Sequence, residues 1–474
     1  MSKRSISQSQ RQWLLDELGW WRDAGIMTAG QSDSILDQYE SVEEAEVSHG
    51  SHAVNVLMGA AATLVAAGVL LLISFNWDAM HDAAKLAMIF TTILGTYYAA
   101  FRVRQPEHAG FSNVLFFLGA FFYGAGIWLV AQIFNLNAHY PDGFWWWALG
   151  VLPLAICLES ALLHALLVGL LATWCGSEML GFGEMGFRFW WRWQHIPNGA
   201  FLLPVLAAPG MLWAYRRQQA GLLYLYVPLV TWWLCLQSIA WQSVWHWSHN
   251  PIFFIAAVGG LLLIVAEGHP PGSKLAIPYR ALGVLLVGAM LIPLTFKDVH
   301  EVRHWGYGRS ESAIIGALLQ GVAILVLMVI AVGIVLRLQG RWNSASDLAA
   351  ATKATIKRQW IPVGVTSMMA FFSLWHGLAN EPYLPTLLAN AAMFAFSIWL
   401  MLVGLREDRG RPFGAGVLYF LLWTVMRYFD LFGQLGGMLG GAMLFFLCGA
   451  FLFAMALYWK RRKARSAVSP ISKS

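Results

Sequence analysis

Four groups of residues in this 474-residue chain have the types and spacing for chemistry. His300-Glu301-Val302-Arg303-His304 carries the H-E-x-x-H pattern, which on a helix sets two histidines one turn apart to hold zinc, with a glutamate to activate water. Arg303 places a cation beside that metal, and Trp305-Gly306-Tyr307-Gly308 would end the helix at once. Glu311 is a candidate third ligand, and His246 and His249 on a neighbouring loop could complete the set. A second group joins Asn76 and Asp78 to Asp82 and Lys85, the last two at the i,i+3 spacing of a helical ion pair. It reads either as a capped helix start or as an external polar site. Gln132 and Asn135 form the third group, two amides just beyond Gly119, Gly124 and Gly126. The glycines suit close helix packing, and the amides leave a polar cavity as the alternative. The fourth is Arg427 with Asp430, again three apart, an ion pair that either orients two helices or lies on a solute path.

The elements that must position these residues are set by composition. Hydrophobic residues make up 58% of the chain and charged ones only 12%, against roughly 25% in a soluble domain. Too little polar surface remains to face water, so lipid is the expected solvent for most side chains. Helices alone satisfy their backbone within one segment in hydrocarbon, and about 20 residues cross its core. The pattern predicts an all-α polytopic membrane protein of about 14 transmembrane helices. They start near Val54, Ala84, Ser112, Gly143, Ala161, Gly199, Leu222, Pro251, Tyr279, Ala313, Trp360, Leu384, Phe413 and Leu435. The fourth and fifth are separated only by Glu159 and Ser160, so they either form a tight hairpin or partly re-enter. Tryptophan clusters such as Trp145-Trp146-Trp147 and Trp190-Trp191-Arg192-Trp193 mark membrane interfaces. Counted from Phe413, Arg427 lies roughly 21 Å into a core of about 30 Å.

Alternating loops divide Lys and Arg unevenly: 24 of the 31 fall on the side that holds both termini. Positive loops stay in the cytoplasm during insertion, so both ends are predicted there. Residues 1–50 contain no apolar core of signal-peptide length, and the first apolar run is expected to direct insertion itself. The chain thus divides into an acidic cytosolic segment (1–50), a multi-pass domain (51–459) and a basic tail (460–474), the tail a stop-transfer signal touching anionic lipid. Cys157, Cys175, Cys235 and Cys448 sit in apolar runs without metal-ligand spacing and read as small core residues.

Within the first segment, residues 8–40 have helical periodicity on both sides of Gly25. That glycine can take the left-handed conformation that ends a helix, and Thr28 with Gln31 fits a capping box for the next. The result is a helical hairpin. Two helices this short bury too little to stand alone, so the hairpin is expected to pack on the membrane face, on a second copy or on a protein partner.

The run Trp21-x-x-Ala24-Gly25-Ile26-x-Thr28 resembles the start of the bacterial membrane proteins grouped as domain-of-unknown-function family 2157. Phe75-Asn76-Trp77-Asp78 is similar to that family too, as are the stretch from Leu118 through Gly124-Ala125-Gly126-Ile127 to Leu136, and Arg427-Tyr428-Phe429-Asp430. The resemblance implies a multi-pass bacterial inner-membrane protein and carries no activity with it.

Three readings of function follow. A carrier or flippase for a small solute or lipid comes first, with the polar groups as points on a path. A scaffold or sensor acting through the hairpin is the alternative. A zinc-dependent hydrolase at His300, Glu301 and His304 stands third, and with no complete catalytic set the reading leans away from an enzyme. No cofactor other than that zinc is expected. The P-loop pattern is missing, which argues against direct ATP use, and nothing points to nucleic acid.

Overall fold

The computed structural model describes residues 8–39, 57–58, 60–61, 64–65, 68, 80–105, 109–136, 141–180, 198–245, 249–270, 272–301, 311–340, 345–379, 381–407, 409–431, 445–450 and 453. Among them the chain is helical and forms no strand. It divides into two compact units, residues 1–167 and 168–474.

Unit 1 begins with the hairpin of α1 (Gln8–Asp23) and α2 (Ala29–Leu36). Gly25 adopts φ +71°, and the Ile26 amide donates to Trp21 O at 2.9 Å while that of Gly25 donates to Arg22 O, a left-handed close that satisfies the last carbonyls of α1. The Thr28 amide donates to Gln31 Oε1 at 2.9 Å and the Gln31 amide returns to Thr28 Oγ1, so the capping box is formed. Leu18 is buried, whereas Trp13 and Trp20 are each 61% exposed.

The rest of unit 1 is α3 (Asp82–Arg102), α4 (Ala109–Ile133), α5 (Asp142–Leu158) and the start of α6 (Ala161–Leu180). Glycines bring the first three together. A methyl group on Gly119 would meet the Tyr97 ring at 2.8 Å, one on Gly126 would meet Ile89 at 3.0 Å, and Gly124 faces Trp147. The packing reading of this glycine face therefore holds. Trp147 Nε1 donates to Ala120 O at 2.8 Å, and its ring meets Phe121 edge-on. Glu159, with φ +51°, ends α5 in the left-handed region, two residues before α6 starts.

Unit 2 contains α7 (Asn198–Arg216), α8 (Ala220–Trp245), α9 (Pro251–Ala266), α10 (Ala276–Leu294), α11 (Glu311–Leu338), α12 (Ala345–Arg358), α13 (Trp360–Leu378), α14 (Tyr383–Glu407) and α15 (Gly410–Leu431). The centre is α9. Asn250 caps it and Pro251 opens it, and nearly all of its side chains are buried against α8, α10, α11 and α13. Gly259 and Gly283 allow that packing, since a methyl group on the first would lie 2.8 Å from Val287 N and one on the second 2.9 Å from Gly259 O. The core joins Phe253, Phe254, Val287, Leu291, Met369, Phe372, Met393 and Phe396.

Outward, the bundle is apolar as well. Val322, Val326, Val329 and Ile330 repeat at helical spacing on one face of α11 and are all more than half exposed, a continuous oily surface that water would not tolerate. Among the described residues eight helices are long and apolar enough to cross a bilayer: α3, α4, α6, α8, α10, α11, α13 and α14. Two shorter apolar helices, α5 and α9, accompany them. Every helix from α3 to α11, and α13 to α15, begins within three residues of an expected start. The spans expected from Val54 and Leu435 fall largely outside the described residues. One element was not foreseen: α12 lies in the stretch from Arg337 to Arg358 that reads as a loop. Its AAATKATIKR pattern leaves Thr355 buried and Lys353, Lys357 and Arg358 exposed.

Candidate functional site

Unit 1 contains an open cavity of about 920 Å³ where α4 ends and α5 begins, against the first half of α3. Its walls are Ile89, Phe90 and Ile93 from α3, Tyr123, Ile127 and Val130 from α4, and Trp146 from α5. Gln132, Asn135 and Asp142 gather at one end. Two features position the amides. Asn135 adopts φ +47° immediately after α4, and the Leu136 amide donates back to Ala131 O at 2.9 Å, which turns the chain so that both amides line the cavity. Trp128 packs edge-on against Phe144, where Gly143 leaves room for its ring. The chamber is apolar along its length and polar at one end, the arrangement that receives an amphipathic molecule.

Of the second group, Asp82 and Lys85 meet. Lys85 Nζ lies 3.2 Å from Asp82 Oδ1 with its stem buried, and His81 caps the helix through the Ala83 amide. Asn76 and Asp78 lie outside the described residues.

One set of polar groups in unit 2 gathers where α10 and α15 end. Arg427 is only 7% exposed; its Nη1 lies 2.8 Å from Asp430 Oδ2, and its guanidinium carbon stands 4.3 Å from the centre of the Phe296 ring. The expected ion pair is formed, with an aromatic partner that spacing could not show. Among the described residues Nε and Nη2 have no hydrogen-bond partner. Lys297 is held between the Tyr383 hydroxyl at 3.1 Å and Glu301 at 3.3 Å, and these contacts raise its pKa above the ordinary lysine value. Asn390 ties the end together: Nδ2 donates to Thr295 O at 3.0 Å, and Oδ1 accepts from Trp423 Nε1 at 2.9 Å.

Of the H-E-x-x-H residues, His300 and Glu301 are described, and neither lies in an α-helix. Lys297–His300 is a short 3-10 turn, and Glu301 leaves it with extended backbone at φ −77°, ψ 115°. Spacing alone cannot register this break, because His300 packs on Phe372 and His376 of α13 and Lys297 bonds Tyr383 of α14. His300 Nε2 donates to Leu294 O at 2.7 Å, and Nδ1 faces His376 Nε2 at 3.4 Å, so both ring nitrogens are engaged. Burial pushes the His300 pKa down, partly offset by the Leu294 carbonyl. His304 and His246 lie outside the described residues, and among those that are described no group of three or more metal-ligating side chains occurs. His249 instead donates to Ser238 O at 2.9 Å.

A buried network that sequence reasoning missed lies beside this end. Gln320, fully buried on α11, donates to Asn250 O at 2.9 Å and accepts from Ser373 Oγ at 2.7 Å; Ser238 Oγ lies within 3.5 Å of its amide and 3.0 Å of His249. Three helices, α8, α11 and α13, and the turn that caps α9 supply one connected set. Its one sequence signal was a lone glutamine in the most apolar run of the chain.

Long helices with apolar outer faces and paired polar groups within define a polytopic helical membrane protein. Residues 20–164 match the family model described as predicted membrane protein, DUF2157, the same family that the N-terminal motifs resemble. The match spans roughly a third of the chain and includes the cavity of unit 1, while Arg427-Tyr428-Phe429-Asp430 lies beyond it. No curated protein and no solved structure matches the chain.

Proposed function

We propose that this protein is a carrier or flippase of the bacterial inner membrane, with about fourteen spans and both termini in the cytoplasm, and that it takes a small amphipathic solute or a lipid into the cavity between α3, α4 and α5. The cavity itself carries this reading. A chamber of about 920 Å³ falls within the range of ligand sites. Ile89, Ile93, Ile127 and Val130 offer a surface for a hydrocarbon segment, and Gln132, Asn135 and Asp142 meet the polar head. The uneven loop charge supports the orientation.

Proteoliposomes containing the purified chain and fluorescent lipid or solute probes test it. Flux should exceed that of empty vesicles and fall at least about tenfold in Ala131→Trp, whose indole fills the chamber. Equal flux in wild type and Ala131→Trp would rule the cavity out as the path.

The exposed Trp13, Trp20 and Ile26 of the hairpin favour a second reading, a docking element for a protein partner or a second copy. Under it, deleting residues 1–45 abolishes cross-linking to that partner and leaves flux unchanged.

A further inference from the structure

The geometry points to a binding site for the phosphate of an anionic phospholipid between the starts of α10 and α15 in unit 2. A cavity of about 540 Å³ opens there. Gly272 and Ser273 line it from the turn before α10, Arg280 from α10, and Arg409 and Arg411 from the start of α15. Three guanidinium groups line this space and, among the described residues, no carboxylate does.

The carboxylates stand behind the arginines and hold them. Glu267 lies 3.2 Å from Arg280, and Glu407 bridges Arg280 at 3.7 Å and Arg409 at 3.1 Å. Arg280 and Arg409 are thereby positioned before any ligand arrives, which lowers the ordering cost of binding. Arg411 is exposed and has no ion pair among the described residues, so its charge is available. Planar guanidinium forks match phosphate oxygens in geometry and charge. The N-terminal end of α15, a helix of 22 residues, adds partial positive charge at the same place.

The remaining lining separates a lipid from free phosphate. Ile277, Ala281 and Val284 on α10 and Pro412 and Ala415 on α15 make the inner half of the cavity apolar. Tyr419 donates to Val284 O at 3.3 Å and draws the two helices together one turn deeper, which closes the cavity floor. From the apolar half, exposed Leu285 and Leu418 continue along the outer faces of the same helices. A soluble anion has no use for that path, whereas an acyl chain does. The site therefore combines a basic pocket at the polar end of a bundle with an apolar exit, the arrangement that selects anionic headgroups at a membrane surface. It uses residues of unit 2 alone, and a failure of transport through the unit 1 cavity would leave it standing.

Native mass spectrometry of the delipidated full-length chain in detergent tests the site, with phosphatidylglycerol, phosphatidylcholine and inorganic phosphate as separate probes. Phosphatidylglycerol should bind more tightly than phosphatidylcholine, and Arg411→Gln should weaken it about fivefold, the equivalent of about 1 kcal/mol for one interfacial charge. Among the described residues Arg411 makes no ion pair, so its loss should not unfold the chain, and an unchanged Tm verifies this. Ala281→Trp, which fills the apolar half, should abolish retention of the lipid. Equal binding of the two lipids, or Arg411→Gln indistinguishable from wild type, overturns the site. Inorganic phosphate displacing the lipid at equal concentration, or lipid retention unaffected by Ala281→Trp, overturns the lipid assignment.

Discussion

Gln320 and Asn390 of unit 2 and Gln132 and Asn135 of unit 1 are amides in opposite surroundings. In unit 2, Gln320, Ser238, His249, Asn250 and Ser373 are buried and bonded to one another across three helices and the turn that caps α9, and Asn390 is bonded on both sides of its amide. In unit 1, Gln132 and Asn135 face an open chamber. A buried amide whose partners are all protein groups is committed to the fold, because removing it leaves those partners unsatisfied. An amide facing a cavity is available to a ligand. The contrast separates residues that hold the bundle from residues that serve a guest, and it can be broken by substitution.

The largest effect belongs to the packed centre of unit 2. Gly259→Val places its new carbon about 2.8 Å from Val287 N, a backbone atom that cannot give way, and should cost about 3 kcal/mol or more. Thermal unfolding in detergent measures this, and an unchanged Tm would mean that α9 and α10 are not packed as described. Gln320→Leu comes next, at about 1–2 kcal/mol, the upper range for interhelical hydrogen bonds in membranes. A neutral result would move this network from the structural to the ligand-binding class and erase the contrast.

A pH effect of similar or smaller size should come from His300. Its folded pKa is lowered by burial, so above the ordinary value of 6.5 it is neutral in both states and has no influence. As pH falls through 6.5, the unfolded chain takes up a proton that the folded chain does not, and stability declines until the folded pKa is reached. The limit is about 1.4 kcal/mol per pH unit for one group. His269, also depressed by burial, adds to the same trend. Comparing Tm at pH 7.5 and 5.5 in wild type and His300→Gln checks it; a slope that does not flatten in the variant assigns the effect elsewhere. The smallest stability change should be that of Gln132→Leu, within about 0.5 kcal/mol. The same variant should lower proteoliposome flux severalfold, and a large loss of stability with flux intact would reverse the assignment of the two units.

Much of the architecture was legible because it depends on local rules. The hairpin at Gly25 and its capping box follow from four residues in sequence, and the Asp82–Lys85 and Arg427–Asp430 pairs from i,i+3 spacing on single helices. α12 escaped notice because its apolar stripe is narrow and interrupted by Lys353 and Lys357. The Gln320 network escaped because its members come from stretches distant in the chain, which the sequence does not bring together. At His300 and Glu301 a 3-10 turn passes into extended backbone, which spacing could not show, since the contacts of His300 with His376 and Phe253 and of Lys297 with Tyr383 come from distant helices.

By itself, the sequence determined the solvent of this protein, the places where its apolar helices begin and the caps of its N-terminal hairpin. These follow from hydropathy and backbone hydrogen bonding within about twenty residues. The tertiary structure alone decided that Gln132 and Asn135 line a chamber while Gln320 is enclosed, that Arg427 stacks on Phe296, and that Arg280 joins Arg409 and Arg411 around one cavity. Those outcomes depend on how helices distant in the chain turn toward one another, and side-chain packing sets that rotation.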